Sequence, residues 1–247
     1  MYYRSGSEYG VGKLNSETHY RVGEFGIQTI RSGAPWKENC YLLRHLSTGE
    51  QAVIDPGADA ETIIRAVLAN GSELAQLWLT HAHHDHIGAA AGLCQRFGLP
   101  CSLHKADQRL LHRGAMYALR FAGLQIEVPT NVQFFETPCQ FQLGGHRVDV
   151  IHTPGHTPGG VCYALEGFVF TGDILIYEHV GRTDLPGGDE MLIKASVNHI
   201  LESLPAETVL FGGHGRSWTV TQARRWWQTA QSDPPRVDSF EKNDRVS

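Results

Sequence analysis

The stretch from Leu77 to His86 constrains this chain more than any other. Its apolar start, Leu77-Trp78-Leu79, runs directly into Thr80-His81-Ala82-His83-His84-Asp85-His86, the pattern H-x-H-x-D-H. This reads as a buried strand that delivers a set of metal-capable side chains into a turn. In an extended segment residues two apart share a face, so His81 and His83 point the same way. Asp85 and His86 follow where the chain turns into a helix. One short segment therefore offers two imidazoles to one ion, and a carboxylate with an imidazole to another.

Three later segments add candidate ligands. Thr153-Pro-Gly-His156-Thr-Pro-Gly sets a histidine between two Pro-Gly turns, Phe170-Thr-Gly-Asp173 ends an apolar strand in a carboxylate, and Gly212-Gly-His214-Gly215 follows the strand Thr208–Phe211. Strand ends gathered at one rim converge on one site, and glycine beside a ligand lets backbone approach closely. The candidates are His81, His83, Asp85, His86, His156, Asp173 and His214. A single catalytic zinc takes three protein ligands and a water. This larger set suits two ions sharing a carboxylate, about 3.5–4 Å apart with a hydroxide between them.

Taken singly, each candidate has a plainer reading. Asp85 complements a helix N-terminus, and His156 and Asp173 are turn formers. Their joint occurrence at strand ends is what favours ligands. His84 points away from its neighbours and reads as an outer or exposed position. His104, His112, His146, His152, His179 and His199 read as surface or core residues. Asp55, before Pro56-Gly57, is suited either to a turn or to fixing the free nitrogen of a ligating histidine. Cys94 and Cys162 read as buried and inert.

Strands are expected at 51–55, 77–80, 100–104, 146–152, 161–165, 168–171 and 208–211. Helices are expected at 59–69, 86–97, 107–112, 190–204 and 221–230, and the remainder of 106–128 as a lid-like loop. Trp226 and Trp227 pack the last helix. Strand–helix alternation on both sides of the chain's centre predicts two sheets covered by helices. Residues 1–20 read as a polar extension or loosely docked arm, 21–230 as one domain, and 231–247 as a tail that frays.

A hydrophobic content of 41% supports a sizeable core, while a net charge of −5 opposes broad attraction to nucleic acid. No run of eighteen apolar residues is present to span a membrane, and the start lacks a signal-like apolar stretch. Five cysteines without a C-x-x-C argue against a disulfide framework and fit a reducing cytoplasm. The expected partner is a small molecule, with neither nucleic acid nor membrane. Oligomeric state has no signature in the sequence.

Through T-H-x-H-x-D-H, H-T-P-G-H-T-P-G, F-T-G-D and G-H-G, taken in that order, the chain resembles the metallo-β-lactamase superfamily from about Gly26 to Trp227. The resemblance implies an α/β fold, a four-layer αββα sandwich with its site at one edge. It implies that His81, His83 and His156 hold one ion, that Asp85, His86 and His214 hold the other, and that Asp173 bridges them. Within the superfamily the segment Val180-Gly-Arg-Thr-Asp-Leu-Pro-Gly-Gly-Asp189 is similar to the glyoxalase II (hydroxyacylglutathione hydrolase) group, particularly its short bacterial form. Arg182 falls where a basic residue helps to hold glutathione. The chain departs from the full-length group in two ways. The C-terminal helical domain is expected to be missing, and Gly215-Arg216 replaces a glutathione-contacting tyrosine.

The implied activity is hydrolysis of a thioester, an acyl-glutathione such as S-lactoylglutathione, by a metal-bridging hydroxide. Asp85 and Asp173 are its catalytic carboxylates and Arg182 its substrate-binding residue. The implied cofactors are two divalent ions, zinc first, with iron or manganese also acceptable to such ligands. A glutathione persulfide dioxygenase with one iron is the nearest alternative, because it too carries a G-R-T-D segment. A lactonase, a β-lactamase and a non-catalytic metal-binding module are further alternatives.

Overall fold

Several strands of this chain are buried at every position, which requires that both their faces be covered. The computed structural model describes residues 12–13, 19–32, 37–72 and 74–232 and shows how they are covered. The first sheet takes its strands in chain order: β1 Gly12–Lys13, β2 His19–Val22, β3 Phe25–Arg31, β4 Asn39–His45, β5 Gln51–Ile54, β6 Leu74–Trp78, β7 Cys101–His104 and β8 Val132–Phe135. Pairing is antiparallel from β1 to β5 and parallel from β5 to β8. Parallel neighbours need crossovers. These are α1 Ala60–Ala69, then α2 His84–Ile87 with α3 Ala90–Phe97, then α4 Gln108–Leu111 with α5 Gly114–Ala122.

The second sheet is built from β9 Cys139–Leu143, β10 His146–His152, β11 Val161–Leu165, β12 Phe168–Gly172, β13 Val209–Gly212 and β14 Trp218–Thr219. Only β12 and β13 run parallel, joined across α6 Glu190–Ser203, and α7 Val220–Ser232 closes the described chain.

Strand periodicity assigns the side chains to three cores. On β4, Cys40 and Leu42 face the helices, whereas Tyr41 and Leu43 face the second sheet. On β5, Val53 and the pair Ala52 and Ile54 divide in the same way. On β12, Val169 packs under α6 and α7, while Phe168 and Phe170 enter the space between the sheets. Successive strand residues point to opposite faces, so one central core and two outer ones stack helix, sheet, sheet, helix. The expected αββα sandwich is what forms.

Four features differ from the sequence-based expectation. Strands β2 to β4 fill a region for which no elements are expected, while Gly12–Lys13 and His19–Tyr20, within the expected extension or arm, pair at the sheet edge. The expected lid-like loop contains α5, because Gly114, Tyr117 and Ala118 recur on one buried face. The helix expected at 86–97 is two helices, broken at Gly88, where a Cβ would lie 2.3 Å from the carbonyl of Gly57. Strands β8 and β9, partly exposed, had no sequence reading. The expected tail lies outside the described residues from 233 onward. Among the described residues no helix is long and apolar enough to cross a membrane.

Candidate metal centre

The parallel pairs β5–β6 and β12–β13 open their C-terminal ends on the same rim. His81 and His83 stand in the loop after β6, Asp85 and His86 in the single turn α2, and His156 between β10 and β11. Asp173 follows β12, and His214 lies between β13 and β14. The structure brings all seven expected ligands together. His81, His83 and His156 place ligand atoms within 4.8 Å of one another, and so do Asp85, His86 and His214. In the first trio, Nδ1 of His83 is 2.8 Å from Nε2 of His156. In the second, Nε2 of His214 is 3.4 Å from Oδ2 of Asp85.

Asp173 stands between the trios. Its Oδ1 is 3.5 Å from Nε2 of His86, and its Oδ2 is 3.6 Å from Nε2 of His156 and 3.5 Å from Nε2 of His214. Glycines make this convergence possible. A Cβ at Gly172, whose φ is +50°, would sit 2.4 Å from Oγ1 of Thr80, and one at Gly213 would sit 2.2 Å from Oδ1 of Asp173.

Hydrogen bonds fix the imidazoles from behind. Nδ1 of His86 donates to Oδ2 of Asp55 at 3.0 Å. Thr80 donates its hydroxyl to the same oxygen at 2.6 Å and lies 3.0 Å from Nδ1 of His81. Nδ1 of His156 donates to the carbonyl of Arg182 at 2.8 Å. Each bond places the proton on the outer nitrogen and turns Nε2, with its lone pair, inward. Asp107 joins two ligand loops, accepting from the backbone N–H of Ala82 at 3.0 Å, from Thr157 at 2.8 Å and from the N–H of Gly159 at 2.6 Å. Asn39 donates to the carbonyls of Gly212 and Gly215, and Tyr41 donates to that of Gly212 at 2.6 Å, holding the segment that carries His214.

The donor atoms fit a divalent ion. Nε2 of His81, Nε2 of His86 and Oδ1 of Asp173 are buried without a hydrogen-bond partner. Native structures leave few such atoms, because each forfeits its hydration. Imidazole and carboxylate together suit zinc, iron or manganese.

Charge divides the two halves of the centre. Burial, reinforced by neighbouring histidines, holds His81 and His83 well below the usual imidazole range. Burial also opposes charge on His86 and His214, but Asp173 and Asp85 outweigh it. His86 lies well above the usual range and His214 is pushed up to about 10. Burial works against ionisation of Asp85 and Asp173 too, yet the facing His86 and His214 draw both below the usual carboxylate range.

Other sequence readings resolve as follows. Asp55 takes the ligand-fixing role rather than that of a simple turn. His84 is half-buried outside both trios. The Arg182 guanidinium forms two bonds with Asp184, at 2.9 and 2.8 Å. Asp107, Asn39 and Tyr41 carried no sequence signal, since their roles consist of contacts with distant loops. Glu38 was likewise not singled out. It is fully buried beside Asp85, with both carboxyl oxygens unpaired, and burial pushes its pKa well up.

The model of the metallo-beta-lactamase superfamily matches residues 33–214, a span that contains all seven ligand candidates. The chain belongs to the metallo-beta-lactamase superfamily. Members similar to it include the hydroxyacylglutathione hydrolase GloC of Haemophilus influenzae, 33% identical over 77% of this chain and 91% of that protein. The B3 metallo-beta-lactamase BLEG-1 has a superfamily fold that superposes with a TM-score of 0.73 at 35% identity, covering 79% of this chain and 95% of that one. TTHA1623, solved in a di-iron-bound form, superposes with a TM-score of 0.72 at 36% identity, covering 80% and 96%. As a superfamily member the chain is a metallohydrolase by fold and by donor set.

Proposed function

We propose that this metallohydrolase uses two divalent ions to hydrolyse a thioester, an acyl-glutathione such as S-lactoylglutathione or a related acyl thioester. The observation that carries the two-ion reading is Asp173, within 3.6 Å of a histidine of each trio. His81, His83 and His156 would hold one ion, and Asp85, His86 and His214 the other. The ions supply Lewis acidity and water ionised near neutral pH. Asp85 and Asp173 border the space between the trios and orient a water molecule there. Burial keeps His81 and His83 neutral and available as ligands.

The likeness to the Haemophilus influenzae hydroxyacylglutathione hydrolase supports the thioester. Chemistry supports it too. A thiol of pKa about 8.5 departs as its anion, so the site needs no side chain poised to protonate the leaving group. On the rim, Arg216 lies over the ring of Tyr177 at 3.9 Å, and Arg182 is held by Asp184. These cations are our candidates for holding the carboxylates of a glutathione moiety. Zinc is the proposed resident metal. The di-iron form of TTHA1623 makes iron the second choice, and with iron the rival activity is oxidation of glutathione persulfide.

One experiment separates these readings. Protein of measured metal content is offered S-lactoylglutathione, a panel of acyl thioesters and glutathione persulfide, with and without chelator, while thiol release and oxygen uptake are followed. Chelator-sensitive thiol release without oxygen uptake is expected. Metal-loaded protein that leaves every thioester intact ends the thioester proposal.

A further inference from the structure

The sequence spacing of Cys94 and Cys101 matches no disulfide or metal motif, yet the fold brings the two thiols together. Helix α3 ends at Gly98, whose φ of +67° lets the chain double back. Pro100 then leads into β7, which Cys101 opens at the sheet edge opposite the metal-bearing rim. Cys94 therefore lies over Cys101. Both sulfurs reach the carbonyl oxygen of Asn131, at 3.8 and 3.7 Å, and the same oxygen takes the N–H of Cys101 at 3.0 Å. Both are free, and Cys94 keeps a 6% exposed edge while Cys101 is sealed.

We propose that Cys94 and Cys101 are a modification site, a dithiol that a hydroperoxide closes into a disulfide between α3 and β7. A disulfide sets its sulfurs about 2.05 Å apart; rotation about χ1 moves each sulfur while its Cβ stays in place, and two sulfurs that already share the Asn131 carbonyl as acceptor are placed to meet in that way. The pair has an ordered division of labour. The neighbouring Cys101 lowers the pKa of Cys94, whereas Cys94 and burial raise that of Cys101. Thiolate is the reactive form, so the less buried Cys94 is the attacking residue.

The Cys94 thiolate attacks one peroxide oxygen and the O–O bond breaks. This gives a sulfenic acid, while the departing hydroxide takes up a proton to leave as water. The Cys101 sulfur then attacks the Cys94 sulfur, its proton leaves with the displaced hydroxyl as a second water, and the S–S bond forms. Two thiols lose two electrons, and one hydrogen peroxide becomes two waters.

The test uses zinc-loaded full-length protein and hydrogen peroxide. Arg96 lies between the two cysteines, so trypsin separates their peptides and a crosslink is visible by mass. We expect a 94–101 crosslinked peptide about 2 Da lighter than the two reduced peptides combined, loss of two of the five alkylatable thiols, and recovery of both with dithiothreitol. In Cys101→Ser, oxygen should accumulate on Cys94 instead. If wild-type protein retains all five thiols, or loses thiols without that crosslink, the proposal is overturned. The wild-type map decides the matter even if the variant folds poorly.

Discussion

Thr80 binds Asp55 twice: its backbone N–H donates to Oδ1 at 2.7 Å and its hydroxyl to Oδ2 at 2.6 Å. Through that hydroxyl Asp55 reaches His81 of one trio, and directly it holds His86 of the other. One buried carboxylate thus orients an imidazole in each half of the centre. Its backbone adopts φ +49°, a conformation of the kind that persists only where surrounding contacts enforce it.

Replacing this carboxylate should weaken both halves together. Outer hydrogen-bond partners of ligating histidines typically affect metal affinity or activity by about 10–100-fold. Asp55→Ala is expected to lose both ions on dialysis and to fall in kcat/KM within that range. Normal metal content in Asp55→Ala would remove Asp55 from this role.

Asp107 should act on one half only, because it ties Ala82, between the first two histidines, to the loop of His156. Asp107→Ala leaves buried donors unpaired, at a cost of about 1–3 kcal/mol each. The expected result is a lower Tm and weaker retention of the ion at His81, His83 and His156, with the second ion kept. Metal titration followed by calorimetry checks this, and equal weakening at both positions contradicts it.

Asp173 and His214 should differ in stoichiometry. His214→Ala removes a ligand of one trio, so about one ion of two should remain. Asp173→Ala removes the group that faces both trios and is expected to reduce metal content further and to abolish turnover. Unchanged metal content in Asp173→Ala would count against a shared carboxylate.

Acid should release the two ions in order. Binding requires unprotonated imidazole, so metal competes with protons. His81 and His83 lie below the usual range and are already neutral near neutrality, so affinity there stays flat as pH falls toward that range. His86 lies above it and His214 is pushed up to about 10, so both carry protons in the ion-free state that a metal must displace. Affinity at the second position should fall steadily between about pH 8 and about pH 6, with proton release on binding. Competition with a chromophoric chelator measures both steps, and parallel loss at both positions would contradict the assignment.

Much of the centre was legible in the linear chain because its ligands are short-range features. H-x-H-x-D-H gathers four of the seven ligands between positions 81 and 86, and His156, Asp173 and His214 each follow a glycine near a strand end. Strands β5, β11 and β12 were legible because burial on both faces leaves each with a run of consecutive apolar residues. Strands β8 and β9, partly exposed, left no such trace.

What the sequence by itself determined was therefore the chemistry of the donors, the residue types present and their placement at strand ends. Only the tertiary structure decided what stands behind them. Asp107 is 25 residues from Ala82 and 52 from Gly159, and Asn39 is 173 from Gly212. Cys94 meets Cys101 only because the chain reverses at Gly98. The physical reason is range. Side-chain periodicity and turn chemistry act over a few residues, whereas a buried hydrogen bond is set by which strands and helices pack together.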